Sequence, residues 1–138
     1  MVLASLSTGR KKARDARRIS DVKSLKLALE MYANDFGKYP AASATCNTTV
    51  FYGLQALVTG KYIKKIPLDP TAVSPNNCYR YASLNSTVFH LATDLENASS
   101  KPTNDMNCSS VVPLVCFTGA LTNGFNGSST AARYDVRN

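Results

Sequence analysis

Four cysteines, one histidine and one dense run of cations are the residues of this chain whose types and spacing invite chemistry. The cysteines stand at Cys46, Cys78, Cys108 and Cys116, and no two have the two-residue separation of a zinc knuckle or a thioredoxin-like redox site. An even number without that spacing points to disulfides formed in an oxidising compartment, against the alternative of four buried thiols in a cytosolic protein. Three pairings are open. Cys46 with Cys78 and Cys108 with Cys116 is preferred, because the second pair closes a short local loop and the first pins a long loop to a sheet. His90 lies between Phe89 and Leu91 in an alternating run, so it faces away from both and is expected to be a partly exposed structural residue. No second histidine accompanies it, and no GxSxG, P-loop or dinucleotide fingerprint occurs. A small disulfide-bonded secreted enzyme is therefore a reading without a motif.

The cations are Arg10, Lys11, Lys12, Arg14, Arg17 and Arg18, with only Asp15 among them. The chain has 138 residues and a net charge of +7, and most of that charge sits in this run, so the pI of 9.4 reports a local cluster and not a basic surface. Such a cluster can attract DNA phosphates or anionic lipid. The preferred reading is a charged helix surface paired with carboxylates of neighbouring subunits, or simply solvated. A single basic run carries no base-reading information, and no aromatic residue is interleaved for stacking.

The element that must carry this run is a helix. Ile19, Val22, Leu25, Leu29, Tyr32 and Phe36 follow in steps of three or four and form one apolar face. Lys11 with Asp15, Arg17 with Asp21 and Lys26 with Glu30 stand four apart, where opposite charges can meet. Gly37, with Pro40 beyond it, ends the helix, and Gly9 is expected to loosen its start. Leu54, Leu57 and Val58 suit a short helix or irregular turn. IPLDP, from Ile66 to Pro70, must be extended because two prolines forbid helix. Residues 78–82 and 87–93 read as two strands of a hairpin, 111–117 as a third at an edge, and 132–136 as a last short one. The size and the 44% hydrophobic content allow one core. The longest apolar stretch, 111–117, is far too short to span a membrane. Residues 1–12 do not read as a signal peptide, so the expectation is a segment cut from a longer precursor, with Met1 an added start.

Three stretches in order resemble the type IV pilin and type II secretion pseudopilin family, major pseudopilins in particular. ARDARRISDVKSLKLALEMYANDFGKYP (13–40) is similar to the family's amphipathic stalk ending in Tyr-Pro. LVTGKYIKKIPLDP (57–70) is similar to its link from helix to sheet, and YRYASLNSTVFHLATDLEN (79–97) to its hairpin ending in Leu-Glu. Together they cover about half of the chain. The family's Gly-Phe-Thr-Leu-Ile-Glu processing site and apolar half-helix are not in these residues, which agrees with a trimmed segment.

The resemblance implies an α+β fold: a long N-terminal helix packed on a small antiparallel sheet, with a disulfide-braced, loop-rich C-terminal region. It places a stalk at residues 1–36, of which 19–36 rest on a globular head of residues 37–138, while the cationic part projects toward neighbours or membrane. It implies a structural subunit of a type IV pilus or type II secretion pseudopilus, not an enzyme. The partners are further copies in a helical filament and the assembly machinery. Localisation is then periplasm or cell surface, with the full-length precursor anchored in the cytoplasmic membrane through the missing segment. A pilin-like receptor for DNA uptake is the alternative. Family members often hold calcium in a C-terminal loop. Here the late oxygen ligands are Asn104, Asp105, Asn107, Asn123, Asn126 and Asp135, a set poor in charge for calcium, so no cofactor is expected and a Cys108 to Cys116 disulfide would brace the loop instead. Five Asn-x-Ser/Thr sequons, at Asn47, Asn85, Asn97, Asn107 and Asn126, are read as loop composition.

Overall fold

The computed structural model describes residues 2–47, 49–71, 78–84, 86–103, 105 and 133–138. Its first element, α1, runs Val2–Phe36 without a break. It passes straight through Gly9, where a loosened start was expected. One helical glycine costs only about 1 kcal/mol, too little to interrupt a helix of 35 residues. Val22, Leu25, Ala28 and Leu29 are buried on one face, as their spacing requires. The helix stops at Gly37, whose φ is 67° and whose N–H donates to the Ala33 carbonyl oxygen at 2.8 Å. Glycine adopts this left-handed stop without a Cβ clash.

The GKYP segment then turns onto the sheet edge. Tyr39 packs edge-on to Phe89 with ring centroids 4.8 Å apart, and the Tyr81 hydroxyl donates to the Pro40 carbonyl oxygen at 2.7 Å. A 3-10 turn at Phe51–Gly53 and a short α2 at Gln55–Thr59 follow, where Leu54, Leu57 and Val58 left a short helix or an irregular turn open. Gly53 has a φ of 101°, and a Cβ there would collide with the Ala41 carbonyl oxygen, so both backbone and space demand glycine.

Three antiparallel strands make the sheet in the order β1-β2-β3: β1 Arg80–Leu84, β2 Val88–Asp94 and β3 Arg133–Arg137. The first two are the expected hairpin, displaced by one or two residues, and β3 begins one residue later than expected. Tyr81 stands opposite Leu91, and Leu91 opposite Val136, so one face of the sheet presents aromatic and branched side chains to α1. This is the α+β architecture expected, a long helix on a small antiparallel sheet. The expected strand at 111–117, Cys108 and Cys116 lie outside the described residues.

The other face corrects one expectation. His90 is fully buried, not partly exposed. Alternation does turn it away from Phe89 and Leu91, but this face is covered too. Its Nε2 lies 2.9 Å from an Asp135 carboxylate oxygen, and Asp105, from the chain after β2, returns to accept the Asp135 N–H at 2.8 Å. Burial, opposed by Lys101, raises the Asp105 carboxyl above its ordinary value.

Candidate functional site

Arg14 and Arg18 stand four residues apart on α1, close enough to repel each other on a solvated helix. Asp15 lies three residues before Arg18, on the same side of the helix. The head supplies what this side needs. Glu96, just past the end of β2, accepts from Arg14 through both carboxylate oxygens at 2.6 Å and from Arg18 at 2.8 Å. Asp69, in the IPLDP turn, accepts twice from Arg18, at 2.6 and 3.0 Å, and the Thr71 hydroxyl oxygen accepts once more at 2.5 Å. Asp15 accepts from Arg18 at 2.8 Å and from the backbone N–H groups of Glu96 and Asn97 at 2.8 and 3.0 Å.

Every N–H of the Arg18 guanidinium is thereby used. Arg18 is 2% exposed and Asp15 not at all, so two ends of the head, the LDP turn and the Glu96 turn, close on one point of the helix. Buried charge is tolerated only with such complete pairing. The Arg14 hydrogen bonds, aided by Arg18, hold the Glu96 carboxyl down to about 2, and the Asp69 bond leads in raising the Arg18 guanidinium further above its ordinary value. A turn later the Tyr79 hydroxyl donates to Asp21 at 2.7 Å, and burial foremost raises the phenol. A cleft of about 480 Å³ opens beside the clasp and includes Arg18, Asp69, Tyr79, Arg80 and Asp94 in its lining. Its charges are matched to one another, Asp94 pairing with Arg133 at 2.6 Å and with Arg80 at 3.4 Å. The arrangement binds stalk to head and fixes where the stalk leaves it.

The six cations expected to project together are therefore divided. Arg10, Lys11, Lys12 and Arg17 are exposed, whereas Arg14 and Arg18 belong to the clasp. Contact with the head begins at Arg14, not at Ile19. Asp15 faces the head and not Lys11, and Glu30 accepts from the Tyr39 hydroxyl at 3.1 Å instead of meeting Lys26. Arg17 does reach Asp21, at 3.8 Å. Of the apolar face, Val22, Leu25 and Leu29 are buried, Ile19 and Tyr32 half-buried, and Phe36 is 54% exposed. Phe36 lies against the Tyr32 and Tyr62 rings, with centroids 4.5 and 6.4 Å away.

Cys46 and Cys78 form a disulfide. Sequence reasoning pairs Asp15 with Lys11 and misses Asp69 and Glu96; the carboxylates in LDP and DLEN, set against a basic run, are the available signal. Of the expected calcium ligands, Asp105 is paired with Lys101 at 2.6 Å and Asp135 with His90, while Asn104, Asn107, Asn123 and Asn126 lie outside the described residues. Among the described residues no three His, Cys, Asp or Glu side chains converge to hold a metal ion. No described helix is long and apolar enough to cross a membrane.

Among known families, the model for type II secretion system protein G matches residues 5–102. It spans the helix, both clasping turns and the hairpin. No curated protein and no solved structure matches.

Proposed function

Because the chain belongs to the type II secretion system protein G family, that of the major pseudopilin, we propose that it polymerises through α1 into a pseudopilus. The family is structural and not enzymatic, and it implies a periplasmic or surface-exposed filament. The observation that carries polymerisation is the division of α1. Residues 14–29 are clamped and packed on the head, whereas residues 5–13 are exposed on all sides. An isolated helical arm of that length is marginal in water and gains stability from a neighbour. Contacts between unlike surfaces of identical copies extend without closing. The precursor's anchorage in the cytoplasmic membrane and its handling by the secretion machinery belong to this same reading.

The test is electron microscopy of cells overproducing the full-length precursor, with an antibody against the head. Labelled filaments are expected. Dispersed label, together with undiminished secretion after deletion of the gene, overturns the proposal.

A second reading, a receptor for DNA uptake, is favoured by the exposure of Arg10, Lys11 and Lys12. Replacing these three by alanine separates the two readings without touching the clasp. A receptor loses DNA affinity and salt slope together, whereas a filament subunit shows neither change.

A further inference from the structure

Every Asp and Glu side chain except two lies within 4.0 Å of a cationic or histidine nitrogen. The exceptions are Glu30 and Asp35. Glu30 accepts only from the Tyr39 hydroxyl at 3.1 Å, and Asp35 accepts from the Tyr62 hydroxyl at 2.7 Å and the Asn34 amide at 3.3 Å. These donors are neutral, so two formal negative charges stand uncompensated among the described residues. Both line one shallow groove of about 310 Å³ together with Met31, Asn34 and Tyr62. Met31 is 48% exposed, and Leu27, one turn earlier, is 63% exposed. An apolar floor beside two unpaired carboxylates asks for a partner that is apolar and cationic on one side.

The same chain carries that partner at the other end of α1. Residues 5–13 are exposed throughout. They hold Arg10, Lys11 and Lys12 with no acidic residue, and they hold Leu6, 53% exposed. Leu6 and Arg10 are four apart and so lie on one face of the helix. We propose that the Glu30–Met31–Asp35 groove receives residues 5–13 of a second copy, with Leu6 on Met31 and Leu27 and the Arg10 to Lys12 cations at Glu30 and Asp35. This contact rests on the filament reading and names the surface through which it would run. Leu6 and Met31 are about 38 Å apart along a helix rising about 1.5 Å per residue. Parallel copies joined this way are offset by that distance and leave one arm and one groove free at the ends, so the contact propagates. Antiparallel copies would bury both pairs at once and stop at a dimer.

The experiment is thiol-specific crosslinking of the purified chain at low salt, with the unaltered chain as control for the native cysteines. L6C mixed with M31C is expected to give a crosslinked dimer, and each variant alone none. L6C/M31C in one chain is expected to give a ladder beyond the dimer. E30Q/D35N keeps the acceptors for Tyr39 and Tyr62 and removes the charge. It should leave the melting temperature unchanged and lower association about tenfold, on the scale of two exposed ion pairs. E30K/D35K mixed with R10E/K11E/K12E should recover the association that either loses alone. Crosslinking of L6C with itself, a product that stops at the dimer, or a yield indifferent to E30Q/D35N overturns the proposal. Labelled filaments without the L6C–M31C product reject this contact and leave the filament reading standing; the product without filaments does the reverse.

Discussion

Arg18 is the residue on which the junction turns, because its guanidinium has all its donors occupied while 2% exposed and faces Asp15, Asp69 and Glu96. Replacing it with leucine would leave Asp15 buried without its counter-charge. Loss of one partner from a buried pair costs about 3–5 kcal/mol, and urea unfolding of Arg18→Leu should show a loss of that order. Arg17→Leu, altering a mostly exposed side chain 3.8 Å from Asp21, should change stability by less than about 0.5 kcal/mol. The clasp also sets a pH dependence. The Glu96 carboxyl is held down to about 2 from an ordinary 4.5, so the folded state binds its proton less readily than the unfolded state. The contribution of Glu96 is complete above pH 4.5 and is lost as pH falls toward 2. Wild type and Glu96→Gln should therefore differ in urea midpoint at pH 6 and converge as the pH approaches 2. A constant difference across that window would remove Glu96 from the pairing. Sequence showed the cations but not this arrangement, because a basic run on a helix is usually solvated. Nothing local says that Asp69 and Glu96, 51 and 78 residues further along the chain, converge on Arg18.

At the scale of elements, α1 has two faces with different duties. Leu25 is fully buried against the sheet and Leu27 is 63% exposed, only two positions away. Leu25→Ala should cost about 2–5 kcal/mol through lost burial and the cavity left behind, whereas Leu27→Ala should leave stability within about 0.5 kcal/mol. Denaturation of the two variants separates the faces directly. The buried face was legible because three-and-four spacing has one physical meaning when every member is apolar: Val22, Leu25 and Leu29 all pack inside. Phe36 continued the same spacing and still came out exposed, since periodicity identifies a face and says nothing about where the head ends. The β1–β2 hairpin could be read from local alternation and turn chemistry. The pairing of β2 with β3 could not, because 38 residues separate Asp94 from Arg133 and such a pairing depends on the whole chain. His90 shows the same limit: period two chose its face, but the burial of that face involves the return of Asp105.

The molecule as a whole is closed by links that cross its sequence, and the Cys46–Cys78 disulfide is the covalent one, joining the loop after α1 to the residue that leads toward β1 across a separation of 32 residues. Closing a loop of that length removes chain entropy from the unfolded state worth about 3–4 kcal/mol. Asp69 lies inside the closed loop, and Leu68 bridges to Cys78 itself, so the covalent link and the Arg18 clasp act on the same stretch of chain. The two should therefore not be independent. Cys46→Ala/Cys78→Ala should cost about 2–4 kcal/mol by urea unfolding, and Asp69→Asn should cost about 1–3 kcal/mol by unpairing a buried hydrogen-bonding group. If the disulfide holds the LDP turn against the helix, opening it lets Asp69 drift from Arg18. The second change then costs less in the opened chain than in the closed one. A double-mutant cycle should give a coupling of about 1 kcal/mol, well above the 0.3–0.5 kcal/mol within which unconnected sites add. Strict additivity would mean that the disulfide stabilises the head without positioning the stalk, and that the angle of the helix is set by the clasp alone.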